Sequence, residues 1–170
     1  QSSKDRDKTI GTELQRIKDE FQRAGSNKKF MRSELKTLDD IELSDEQIIA
    51  VNKSVNEPVS VITGGPGAGK TTMVLGLVSA LEALDQSVRI CAPTGRAAKR
   101  IEDNPILKKY EPSTIHRYLA SAGSKRKKDF DVMIVDESSM IDIDLLVLLL
   151  ESIPDGASLV FIGDPDQLPS

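Results

Sequence analysis

From residue 43 onward the chain alternates between two kinds of pattern. Short, nearly unbroken apolar runs cover 59–63, 88–93, 131–136 and 158–163, and stretches of helical periodicity cover 71–84, 95–103, 114–122 and 142–152. Strands this apolar are buried on both faces. Helices between them point to an α/β domain with a parallel sheet covered on both faces. In such sheets ligands bind beyond the carboxyl ends of the strands, and the polar clusters of this chain fall there. Residues 1–40 read differently. They are heavily charged, with an amphipathic spacing at Leu14, Ile17, Phe21 and Ala24 that "AGSNKK" at 24–29 interrupts. Residues 1–42 therefore read as a charged helical extension or linker before a domain at 43–170, and they carry no pattern of their own chemistry. No internal repeat occurs, and the one biased segment is "KRKK" at 125–128.

Composition narrows the class. With 170 residues, 38% hydrophobic and 29% charged, the chain is an ordinary globular domain with room for a core. The longest apolar run, "LLVLLL" at 145–150, is far shorter than the ~20 residues that cross a bilayer, so no membrane is expected. The charged N-terminus has no apolar signal region. The single Cys91 sits in a strand-like run, where a packed, inert thiol is expected, and it suits a reducing compartment. Together these readings favour a cytoplasmic or nucleoid-associated protein. The net charge of −4 argues against a nucleic-acid partner until it is mapped. Residues 129–170 hold ten acids and no Lys or Arg, which leaves +6 on residues 1–128. Such asymmetry suggests that separate faces carry separate jobs.

"VSVITGGPGAGKTT" fits the Gly-x-x-x-x-Gly-Lys-Thr pattern, with Gly64, Gly69, Lys70 and Thr71 at the required places between a strand and a helix. Gly64, Gly65, Pro66, Gly67, Ala68 and Gly69 let backbone amides turn inward around a β-phosphate. Lys70, Thr71 and Thr72 then open a helix whose positive end faces it. Lys70 can reach the β- and γ-phosphates, and the Thr71 hydroxyl can ligate Mg²⁺. A glycine-rich turn without a ligand would need neither Lys nor Thr here. Gly-x-Gly-x-x-Gly does not fit, which disfavours a dinucleotide fold. A nucleoside triphosphate is the expected ligand.

"DVMIVDESSM" places Asp136 and Glu137 at the carboxyl end of a hydrophobic strand. An acid here can hold Mg²⁺ through water, and a second can take a proton from an attacking water. The bland alternative is a helix cap before "MIDIDLL". Together with the phosphate loop upstream, the pair favours hydrolysis over binding alone.

Five stretches in order, "GGPGAGKTT", "APTGRAAKR", "STIHRYL", "DESSMID" and "GDPDQLPS", resemble superfamily 1 helicases of the RecD-like, 5′-to-3′ class. They cover residues 43–170. The resemblance implies a RecA-like P-loop NTPase domain that uses ATP and Mg²⁺ to move along single-stranded DNA. It also implies catalytic roles for Lys70, Glu137 and Gln167: Gln167 senses the γ-phosphate, and Asp164 helps to frame the site. Thr71 and Asp136 fall to the metal. Thr94, Gly95, Arg96, Thr114 and His116 fall to the DNA. The family's motors carry a second RecA-like domain with an arginine finger, so slow hydrolysis is expected of these residues alone. Other subunits of a nuclease–helicase complex are possible partners in such a family.

Physical chemistry supports the DNA face only in part. Arg96, Lys99 and Arg100 supply phosphate-binding charge on one helix, and threonine hydroxyls are short donors. Without the resemblance a solvated helix face would be the simpler account. His116 alone would more often be a structural hydrogen-bond partner. Tyr118 could stack on a base, although most of six aromatics must be core. Gln47 has two readings: Ser44 and Gln47 form a Ser-x-x-Gln capping box, and the resemblance assigns Gln47 to the adenine edge. Two functional alternatives stand beside the motor reading, another P-loop ATPase and a non-catalytic half-helicase that binds ATP and single-stranded DNA. A non-catalytic scaffold would not need Lys70, Thr71, Asp136, Glu137 and Gln167 intact.

Overall fold

A computed structural model describes residues 2–25, 43–63, 69–122 and 129–163. Within residues 69–72 the backbone alone is described, and the side chain of Glu46 is not.

Among the described residues five strands form one parallel sheet: β1 (Val59–Thr63), β2 (Val88–Ala92), β3 (Ser113–Thr114), β4 (Val132–Val135) and β5 (Ser158–Gly163), in the order β1-β5-β4-β2-β3. The helices are α1 (Ser3–Arg23), α2 (Asp45–Asn56), α3 (Gly69–Ala83), α4 (Gly95–Glu102), α5 (Ile115–Ala122) and α6 (Ile143–Ser152). Successive strand side chains point to opposite faces, and the core divides accordingly. Ile62, Ile90, Ala92, Val132, Ile134, Val160 and Ile162 meet α2, α3 and α4 on one face. Cys91, Met133, Val135 and Leu159 meet α1, α5 and α6 on the other. The α/β architecture expected from the apolar runs is therefore present, and element ends differ from the sequence reading by one or two residues. The exception is β3, which was not expected. It pairs Cys91 with Ser113 and Ala92 with Thr114 at the sheet edge, and two residues are too few for any periodicity to show.

The N-terminal helix forms as expected, with Ser2 as its N-cap and Ala24 as its C-cap. It is also packed onto the domain. Ile17 is 1% exposed in the second core cluster. Arg16 donates to the Leu150 carbonyl at the end of α6 (3.0 Å) and pairs with Asp155 (2.6 Å). Arg6 pairs with Asp144 on α6 (3.1 Å). On the opposite face Leu43 lies against α3, where a Cβ added to Gly76 would meet Leu43 Cδ1 at 2.7 Å. That glycine lets the entry to α2 sit close to α3. No helix among the described residues is long and apolar enough to cross a membrane.

Candidate nucleotide and nucleic-acid site

All strands run the same way, so their carboxyl ends share one rim. β1 ends at Thr63 and α3 begins at Gly69. Gly64, Gly65, Pro66, Gly67 and Ala68 lie outside the described residues. Gly69, Lys70, Thr71 and Thr72 form the first turn of α3, with no acidic residue there to compete with an anion. Asp164 and Gln167 also lie outside the described residues, as does "KRKK" at 125–128.

Two strands away from β1 in sheet order, β4 delivers its acids. The Asp136 N–H donates to the Cys91 carbonyl (2.9 Å), extending the ladder by one bond. The Glu137 N–H then donates to Asp136 Oδ1 (2.9 Å). Glu137 has a left-handed backbone, φ 52° and ψ 44°, uncommon for a residue with a side chain and a frequent mark of functional turns. A 3₁₀ turn, Ser138–Met140, follows. Ser138 Oγ donates to the Ile162 carbonyl (3.1 Å), tying the acidic turn to the end of β5. The helix-cap alternative for this pair does not hold. Asp142 caps α6 instead, its Oδ1 accepting from the Leu145 N–H (2.8 Å). Glu137 is also paired across the sheet. Arg100 Nη1 on α4 lies 3.0 Å from its Oε1, with the Glu137 side chain 14% exposed and that of Arg100 68% exposed.

Thr94 and Thr114 follow or end neighbouring strands, and each caps the next helix. Thr94 Oγ1 accepts from the Ala97 N–H (3.2 Å), and Thr114 Oγ1 accepts from the Arg117 N–H (3.1 Å). Both caps stand at the carboxyl ends of the neighbouring strands β2 and β3, with α4 and α5 leaving toward opposite faces of the sheet and Gly95, Arg96 and His116 exposed. Ala97, Ala98 and Ile101 bury the inner face of α4. Arg96, Lys99 and Arg100 consequently share the outer one, the expected result of helical spacing. Lys99 pairs with Asp103 at 3.5 Å.

Tyr118 does not reach this rim. It is 2% exposed, packs edge-on against Phe130 with centroids 6.0 Å apart, and donates its hydroxyl to the Ser152 carbonyl (3.1 Å). The base-stacking reading is corrected: the α5 ring is core. Cys91 is fully buried beside Ser113, and burial pushes its thiol up from the usual range, as an inert cysteine requires. The capping box at α2 is formed. Gln47 N–H donates to Ser44 Oγ (3.2 Å), and Ser44 N–H donates to Gln47 Oε1 (2.9 Å). One lone pair of Oε1 is taken. The second lone pair and the amide NH₂ are the groups that an adenine edge would use.

A model of the AAA domain family matches residues 47–170. The chain belongs to that family. Its relatives narrow the class to a RecD-like superfamily 1 motor domain. It is 36% identical over 133 residues to the ATP-dependent RecD2 DNA helicase of Deinococcus radiodurans, covering 75% of this chain and 18% of the relative. It is 33% identical over 160 residues to the RecBCD enzyme subunit RecD of Haemophilus influenzae, covering 76% and 25%. Among solved structures, Pif1 from Bacteroides sp in complex with ADP-AlF4 superposes with a TM-score of 0.50 at 26% identity, over 77% of this chain and 34% of that one. The chain thus spans about a quarter or less of the length of these two curated relatives. The helix α1 lies outside the family match.

In this RecD-like domain, sequence reasoning missed the Arg100–Glu137 pair and the Ser138–Ile162 tie. Both join residues more than twenty positions apart, and no local spacing reports such contacts.

Proposed function

We propose that this RecD-like domain binds ATP with Mg²⁺ at the strand-end rim and couples its hydrolysis to 5′-to-3′ movement along single-stranded DNA, in repair or recombination. The observation that carries the reading is the acid pair. Asp136 and Glu137 stand on a strand end two positions from the strand that leads into Lys70, and the cap of α6 is Asp142 instead. In this reading the Gly64–Gly69 amides wrap the β-phosphate, Lys70 holds the β- and γ-phosphates, and Gln47 meets the adenine. The half-buried Asp136 carboxylate with the Thr71 hydroxyl is an all-oxygen set of the kind Mg²⁺ takes alongside phosphates and water. Mg²⁺ would supply charge neutralisation at the phosphates. Glu137 takes the proton of the attacking water. The water oxygen bonds to the γ-phosphorus, and the bond to the bridging oxygen breaks with its electron pair leaving on ADP. Gln167 senses the γ-phosphate.

Thr94, Gly95, Arg96, Thr114 and His116 contact the DNA backbone and bases in this reading, supported by two capped helix starts at neighbouring strand ends and the basic outer face of α4. Turnover by these residues alone is slow. The family's arginine finger, worth about 10³–10⁵ in related phosphoryl transfer, lies on its second motor domain. We place the motor domain at 43–170 after an extension, in a cytoplasmic or nucleoid-associated protein. The similarity to RecBCD subunits supports partner subunits in a nuclease–helicase complex. The test is a titration with labelled ATP and ADP. Lys70→Ala should weaken triphosphate binding more than diphosphate binding, and equal losses would remove the γ-phosphate contact from the reading.

A further inference from the structure

Arg100 links the helix proposed to face DNA with the carboxylate proposed to take the proton. The guanidinium reaches in from solvent, 68% exposed, onto a Glu137 side chain that is only 14% exposed. A competing anion can therefore reach the arginine end of the pair without opening the fold. The helix that carries Arg100 is locked to the sheet by Ala97, Ala98 and Ile101, so the side chain, not the helix, is what can move.

Topology fixes the direction of the pull. In the order β1-β5-β4-β2-β3, the phosphate loop follows β1 and α4 follows β2, on opposite sides of β4. An ion pair to α4 therefore draws the Glu137 carboxylate toward the β2 side, away from the side where the phosphate loop leaves the sheet. Glu137 is held there on a left-handed backbone, a conformation that persists when surrounding contacts over-determine it. On the same outer face, Lys99 has its own acid partner in Asp103, while Arg100 spends its charge on Glu137.

We propose that Arg100 is a positioning residue that holds Glu137 out of line until a nucleic-acid phosphate takes the guanidinium, so that strand occupancy releases the base for hydrolysis. The proposal rests on the reading of Glu137 as the proton acceptor and of α4 as a DNA-facing helix. A phosphate competes well for this group, because a guanidinium binds phosphate and carboxylate with the same two-pronged geometry.

The experiment is single-turnover ATP hydrolysis, with and without saturating oligo(dT), on wild type, Arg100→Ala, Arg100→Lys, Glu137→Gln and the Arg100→Ala/Glu137→Gln double variant. For Arg100→Ala the DNA-free rate should rise about two- to fivefold, the upper part of the range that one such pair can hold back. The ratio of DNA-stimulated to DNA-free rate should fall by the same factor, with ATP affinity unchanged. Arg100→Lys, which keeps the charge but not the two-pronged geometry, should fall between. Unchanged rates in Arg100→Ala, or equal losses with and without DNA, would overturn the restraint. The two readings fail differently. If Glu137→Gln and the double variant hydrolyse like wild type, the proton acceptor has been misassigned. If Glu137→Gln is inactive while Arg100→Ala behaves like wild type, only the role of Arg100 falls.

Discussion

Replacing Ile17 with Ala tests whether α1 is built into the domain. The side chain is 1% exposed in the cluster beneath β4 and β5, against α5 and α6. The substitution removes three carbons, each worth about 0.8 kcal/mol of buried transfer energy, or roughly 2.4 kcal/mol. The cavity left behind raises the cost to about 3–4 kcal/mol, inside the usual range for large-to-small core changes. For a domain of this size that is a drop in Tm of roughly 6–16 °C. Ile49→Ala is the matched control, the same chemical change at a position 67% exposed on α2. It should shift stability by no more than about 0.5 kcal/mol. Thermal and urea unfolding, followed by far-UV circular dichroism, give both values. Arg16→Ala should add about 1 kcal/mol of loss, since the Leu150 carbonyl and Asp155 lose a charged donor. If Ile17→Ala and Ile49→Ala melt together at the wild-type temperature, α1 is a tethered appendage and its packing carries no stability.

Three further outcomes follow from the same structure. Arg96→Ala should weaken single-stranded DNA binding about equally for all sequences and reduce the salt dependence by about 0.7 in log–log slope; an unchanged slope in fluorescence-anisotropy titrations would return α4 to a solvated face. Gly163→Ala places a Cβ 3.1 Å from Ser138 Oγ, so the hydroxyl that bonds the Ile162 carbonyl must shift by a few tenths of an ångström. The loss should be about 1 kcal/mol and much smaller in a Ser138→Ala background, whereas additive losses in that double-mutant cycle would place the strain elsewhere. Burial pushes Glu82 up, but hydrogen bonds from Lys109 (2.8 Å) and the Tyr110 hydroxyl, with the charge of Lys109, outweigh it and hold the carboxyl below its usual 4.5. Its contribution is therefore present above the unfolded value and lost as pH falls through the lower folded one, so Glu82→Gln should flatten the fall in urea midpoint on acidification, and parallel curves would contradict the assignment.

The strands of the sheet interior were legible because burial on both faces leaves runs such as "VMIV" and "SLVFI" with almost no polar interruption. The N-cap of α2 was legible from Ser44 and Gln47, because a capping box is a local device. The sequence of α1 showed an amphipathic face but not its cover. Periodicity says that Ile17 wants burial, while the choice of α6 as partner depends on how the strands are ordered. Tyr118 illustrates the same gap. An aromatic two residues from an exposed histidine reads as a surface group until the helix phase, with Ile115, turns it into the core. At the rim, residue types picked out Asp136 and Glu137 as an acid pair, and the structure sets both just past the end of β4. The ion pair with Arg100 depends on β2 and β4 being neighbours, which no spacing within either strand reveals.

Glu137→Gln tests most directly whether Glu137 takes the proton from the attacking water. The substitution keeps size and hydrogen-bonding reach while removing the base. Single-turnover hydrolysis of bound ATP should fall about 10²–10⁴-fold, with ATP affinity and single-stranded DNA affinity unchanged in parallel titrations. Loss of ATP affinity in proportion to the lost rate, or retention of the wild-type rate, would contradict that role.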